Sequence, residues 1–146
     1  MILSFVESRI PALTAIPGIK MGLANIAVVF ALYRIGWREA GAVSLVRVAV
    51  AGMLFGSGVS ILYSLAGAAL SLAGMALMKR TGKFSPVSVS VTGGVLHNLG
   101  QIAVACFILG TNVIAYYLPF LILGGTVSGI LIGTVSGIII NRTDIK

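Results

Sequence analysis

Arg47 lies in a stretch, residues 40–55, that holds no other charged side chain, and the chain has only three acids, Glu7, Glu39 and Asp144, none of them inside an apolar run. A guanidinium in hydrocarbon costs a few kcal/mol on insertion scales and roughly 10 or more in simulation, so it must face protein, water or an anion. Its planar fork of donors matches a carboxylate or phosphate two bonds at a time. Backbone carbonyls or water are the alternative acceptors. A second polar group, His97, Asn98 and Gln101, interrupts another apolar run. His97 and Gln101 are four residues apart and share a helix face, while Asn98 sits about 100° round from His97, so at least two of the three point into one cavity. The chemistry on offer is binding: Arg47 for an anionic group, His97, Asn98 and Gln101 to orient the rest of a ligand. The plainer alternative for those three is hydrogen bonding between helices, worth on average about 0.6 kcal/mol per contact in membranes.

The elements that must position these residues are transmembrane helices. Of the 146 residues, 58% are hydrophobic and 9% charged, against roughly 25% charged in an ordinary soluble domain. The apolar runs approach the roughly 20 residues a helix needs to cross the hydrocarbon, and without period-2 alternation a β-barrel is not expected. The breaks divide one transmembrane domain, 1–146, into a short first segment at about 1–10 and fuller spans at about 20–35, 38–55, 59–78, 86–110 and 113–140. The expected fold is therefore an all-α integral membrane bundle of six segments with a truncated first helix. Pro11, Pro17 and Gly18 make 11–19 a turn or extended loop.

Charge sets the orientation. Arg34, Arg38, Lys79, Arg80, Lys83, Arg142 and Lys146 fall on one side, Arg9 and Lys20 on the other; the positive-inside rule makes the first side cytoplasmic, with both termini there. On this reading the net charge of +7 serves topology and contact with anionic membrane lipid, and nucleic acid is not an expected partner. Cys106, the single cysteine, reads as a packing residue, with no disulfide, metal cluster or cofactor expected. Counting along the spans, Arg47 lies nine residues from the cytoplasmic end of its helix, roughly 13 Å deep at 1.5 Å per residue. His97 to Gln101 lie at comparable depth or slightly further out. Lys20, Asn25, Tyr63, Tyr116 and Tyr117 come nearer the outer surface and could rim the same cavity; interfacial anchoring is the alternative for the tyrosines.

The last span carries Gly125, Gly129, Gly133 and Gly137, with the pentapeptide TVSGI at Thr126 and again at Thr134. Glycines at that spacing line one face and let another helix approach closely, either within the bundle or on a partner protein.

IPGIKMGLANIAVVFALYRIGWREA, RVAVAGMLFG, LYSLAGA from Leu62 and VSVTGGVLHNLGQIAVA together resemble the bacterial membrane family called heptaprenyl diphosphate synthase component I, or the Gx transporter family. Lys20 to Asn25 and His97 to Gln101 carry the resemblance most specifically, and it runs from Glu7 to about Ile140. That family is similar in size and topology to the substrate-binding S components of energy-coupling factor (ECF) transporters. The resemblance implies six helices, a bacterial cytoplasmic-membrane location, and an outward-facing pocket closed by the loop between the first two helices. It also implies an energising module, a transmembrane coupling protein with ATPases, docked through the first helix; the shortness of segment 1–10 puts that coupling in doubt.

The two family names imply different functions. Prenyl diphosphate synthesis in the related soluble enzymes uses two aspartate-rich motifs to hold magnesium, and three scattered acids cannot form them. No phosphate-binding loop of the G-x-x-x-x-G-K-[ST] type is present either. The chain is not expected to be an enzyme, and no residue is assigned a catalytic or metal-binding role. The leading expectation is a membrane-embedded substrate-binding subunit of a transporter, taking a small anionic or amphipathic substrate. The alternatives are a non-catalytic accessory subunit of heptaprenyl diphosphate or quinone metabolism holding a lipid-like ligand, and a purely structural membrane subunit of an electron-transfer complex.

Overall fold

A computed structural model describes residues 25–55 and 57–143. These form helices α1 (Asn25–Arg34), α2 (Trp37–Phe55), α3 (Gly58–Thr81) and α4 (Pro86–Leu109), a 3₁₀ turn (Val113–Tyr117), and α5 (Leu118–Arg142). The described part is all-helical, as the apolar runs require. The expected segment 1–10 and the loop 11–19 lie outside the described residues, so five of the six expected segments are described in whole or part.

Local chemistry fixes the boundaries. The Ser57 hydroxyl accepts from the Ser60 amide at 3.3 Å at the start of α3, and the Ser85 hydroxyl accepts from the Ser88 amide at 3.3 Å at the start of α4. Each satisfies one of the amides that a helix start leaves without a partner. Gly82 (φ 66°) and Gly110 (φ 61°) end α3 and α4 in left-handed geometry that glycine adopts without a Cβ penalty. The expected single helix over 113–140 is instead a 3₁₀ turn followed by α5. Pro119 has no amide to donate and its ring crowds the carbonyl four residues back, so it stands in the first turn of α5 and the α-helix does not extend back through 113–117.

Each helix packs against the next, α4 most extensively against α3 and α5, and α5 returns to α1. The five helices thus form a closed ring in chain order. All of them contribute to one core: Val28, Val29, Ala31 and Leu32 from α1, Ala40 from α2, Met75 from α3, Val89 from α4 and Ile132 from α5.

Glycines set the spacing of the α3–α4–α5 layer. A Cβ on Gly94 would lie 2.5 Å from the Gly125 carbonyl oxygen, and one on Gly129 or Gly133 would lie 2.5 Å from the Cα of Val91 or Val87. The ladder of the last span is therefore spent within the bundle, against α4, for its first three members. Gly137 is looser, its Cβ position 4.0 Å from Pro86. The TVSGI repeat satisfies three of its four hydroxyls within α5, Ser136 Oγ being buried without a hydrogen-bond partner. Thr126 and Thr134 donate to the carbonyls four residues back, at 2.8 and 2.7 Å, while Ser128 and Ser136 are buried.

The surface is apolar and the interior partly polar. Ser44, Ser71, Ser90, His97, Asn98, Ser128 and Ser136 are buried, while Met53, Leu70, Leu77, Phe107, Phe120 and Leu123 face outward. A water-soluble protein has no reason to expose so large an apolar surface. Among the described residues α3, α4 and the stretch from the 3₁₀ turn through α5 are long and apolar enough to cross a membrane. The 19-residue α2 has the length as well, but carries Arg38, Glu39 and Arg47.

Candidate functional site

Consecutive residues of α4 reach opposite neighbours. Toward α3, the His97 imidazole and the Gln101 side chain both lie against Gly67: a Cβ there would come 3.1 Å from His97 Nδ1 and 3.0 Å from Gln101 Cγ. The absent Gly67 side chain also lets the α4 backbone in, with the His97 carbonyl 2.6 Å from that Cβ position. The i, i+4 spacing thus does what helical geometry requires and aims His97 and Gln101 at one place. Toward α5, Asn98 donates from Nδ2 to the Leu121 carbonyl at 2.7 Å. Its amide serves the α4–α5 contact, the role the interhelical alternative assigns it.

Arg47 stands on the neighbouring helix α2. It is half-buried on α2 with its Nε wholly enclosed, and its charge acts on the His97 ring. The sequence puts the two side chains at similar depth on different helices; the ring order, with α3 packed between α2 and α4, brings them within electrostatic reach. Gly67 lets α4 approach α3 closely, and the His97 carbonyl, its ring and Gln101 occupy the place of its missing side chain. The arrangement is an imidazole that is 2% exposed and an amide side chain, both from α4 against a glycine of α3, with the Arg47 cation of α2 acting on the imidazole. Guanidinium, imidazole and amide side chains are the donor types suited to an anionic or polar group. Among the described residues Glu39 is the only carboxylate, and it is exposed at the start of α2.

The remaining expected site residues are spread out. Asn25 is half-buried at the start of α1, and Tyr63 half-buried on α3, one turn before Gly67. Tyr116 and Tyr117, on the 3₁₀ turn, are 81% and 64% exposed, the placement of interfacial anchors. Lys20 lies outside the described residues. Two apolar clefts open elsewhere. One of about 410 Å³ lies between Leu32, Gly36 and Trp37 and the last turns of α3. The other, about 470 Å³, is formed by Ile114, Tyr117, Phe120, Leu121, Leu123, Gly124 and Val127.

Two basic residues do more than set orientation. Lys79 donates from Nζ to the Leu32 carbonyl in the last turn of α1, and Arg34 donates to the Ile140 carbonyl near the end of α5. A helix leaves its last four carbonyls without amide partners, and cations are favoured there. The sequence reading counts both residues only as loop charges. Their position in the last turn of an apolar helix is the signal for this second role. Gly67 is likewise missed, since no property of LYSLAGA by itself says which neighbour its glycine admits.

A helical ring with an apolar exterior, a polar interior and three helices able to cross the bilayer defines a polytopic α-helical membrane protein. Within that class the chain belongs to the heptaprenyl diphosphate synthase component I family, whose pattern matches residues 1–139. The family name denotes one component of a synthase, that is, a subunit. No curated protein matches the chain, and no solved structure does.

Proposed function

We propose that the protein is a non-catalytic membrane subunit that binds a small anionic or amphipathic substrate inside its helical ring and hands it to a separate energising module, in the manner of a transporter's substrate-binding subunit. The observation that carries this is the pairing of His97 and Gln101 against Gly67, with the Arg47 charge acting on the same imidazole. A guanidinium among apolar helices is expensive wherever it stands, and placing it beside a second cationisable ring adds to the cost in the empty site. An anion between them offsets both. Arg47 then holds the charged group, His97 and Gln101 orient the ligand, and Asn98 fixes α4 against α5. Lys20, Asn25, Tyr63 and Tyr116 remain assigned to the outer approach. The test is cellular uptake and ligand retention by the Arg47→Ala protein; unchanged uptake of every substrate that the parent carries rules the binding role out.

A second reading has its own support. The family name ties the chain to prenyl diphosphate synthesis, and the cleft at Ile114, Tyr117 and Phe120 is apolar and opens on the exposed flank of α5. A non-catalytic accessory subunit that holds a prenyl chain or quinone needs such a groove. Mass spectrometry of gently extracted protein separates the two, since this reading requires a long-chain isoprenoid lipid to co-purify.

A further inference from the structure

At the end of the bundle where Arg34, Arg38, Lys79, Arg80 and Arg142 gather, the cleft of about 410 Å³ is lined by Leu32, Gly36, Trp37, Ala73, Ala76, Leu77, Lys79 and Arg80. Its floor is apolar: Leu32 is buried, Ala76 is half-buried, and the exposed Ala73 adds a methyl group. Its outer wall is exposed to whatever surrounds the bundle, Trp37 at 60% and Leu77 at 66%. Its rim is cationic and partly fixed in place. Lys79 is tethered to the Leu32 carbonyl and stands 5.4 Å from the centroid of the Tyr33 ring, and Arg38 is held 5.8 Å from the Trp37 ring. Arg80 is exposed beside them. The carboxylate at this end is Glu39, with Oε2 beside Gly36, so the cations outnumber it.

We infer that this cleft is a binding site for the phosphate headgroup of an anionic membrane lipid, with the first part of an acyl chain lying on Ala73, Ala76 and Leu77. Charge complementarity selects the head, because Lys and Arg at the edge of a span attract anionic phosphate. The apolar floor selects a lipid over free phosphate. Trp37 is suited to the headgroup level, where an amphipathic ring meets both phases. This site is separate from the Arg47 group and stands whether or not that group binds a substrate.

The test uses the full chain in nanodiscs of equal phosphatidylglycerol and phosphatidylcholine, released gently and weighed by native mass spectrometry, with each variant's melting temperature recorded alongside. The parent protein retains phosphatidylglycerol in preference to phosphatidylcholine. Arg80→Gln lowers that preference about fivefold, the factor corresponding to the roughly 1 kcal/mol that one Lys or Arg contributes near an anionic surface. Arg80 is the variant of choice because Lys79 also ties α3 to α1. Ala73→Phe fills the floor with every charge intact and lowers retention too. Arg142→Gln, at the same end but outside the cleft, leaves it unchanged. Parent-like retention by either Arg80→Gln or Ala73→Phe overturns the site, and so does a loss in Arg142→Gln equal to that in Arg80→Gln, which would mark diffuse attraction to a basic surface.

Discussion

His97 and Asn98 are adjacent in sequence and serve opposite sides of α4: the His97 ring lies against Gly67 of α3, while Asn98 donates to the Leu121 carbonyl of α5 at 2.7 Å. One turn of helix therefore carries both the imidazole assigned to the proposed ligand and a structural tie. The two are separable by experiment.

Asn98→Leu removes the tie and leaves the Leu121 carbonyl without that donor. Hydrogen bonds between membrane helices average about 0.6 kcal/mol and reach about 1.7, and the expected loss of stability falls in that range. Ligand retention at saturating substrate stays near the parent value. Unfolding in mixed micelles and native mass spectrometry read the two properties separately.

On the proposed function Arg47 and His97 act on one ligand group, so their substitutions will not add. Arg47→Ala and His97→Ala each weaken ligand retention, and the double variant weakens it by less than the sum, with a coupling of about 0.5 to 3 kcal/mol as for residues sharing one network. Strict additivity in the double-mutant cycle would mean that the two residues do not act on the same ligand group.

The glycines facing α4 and those at the end of α5 differ in what they tolerate. Gly94→Ala drives a methyl to 2.5 Å from a backbone oxygen that cannot swing away, whereas Gly137→Ala meets Pro86 at 4.0 Å. Overpacking costs about 1 to 3 kcal/mol, so Gly94→Ala should lower the melting temperature clearly and Gly137→Ala hardly at all.

Gly82 ends α3 at φ 66°, where an L side chain costs roughly 1 to 2 kcal/mol. Gly82→Ala should lose about that much stability in a denaturant or thermal titration, although its Cβ would meet nothing within 4 Å. A neutral result would show that the α3–α4 turn re-forms in another conformation.

Much of this was legible in the residues. Hydropathy and the glycine and serine breaks placed α2, α3 and α4 within three residues at each end, because length and capping act locally. The i, i+4 relation of His97 and Gln101 likewise follows from helical geometry alone. What the chain could not announce was partnership. Gly67 and Gly74 look alike in LYSLAGAALSLAGM, yet the first admits His97 and Gln101 and the second Leu96; the difference lies in the register between α3 and α4. The break before Leu118 has a local cause as well, a proline in the first turn of α5. Apolar runs outvote a proline in a hydropathy reading, but the missing amide decides the backbone.

The ring closes only where α5 meets α1, and it is strung in chain order. During synthesis, α2 with Arg47 is therefore made before α4 with His97 and Gln101 exists, and α1 waits for its last neighbour until nearly the whole chain has emerged. Arg34 is also made before its carbonyl partner, preceding Ile140 by 106 residues. The nascent hairpin of α1 and α2 must therefore be tolerated by the insertion machinery with its cations provisionally solvated. Its final burial is an event of assembly, timed by the arrival of the C-terminal helices.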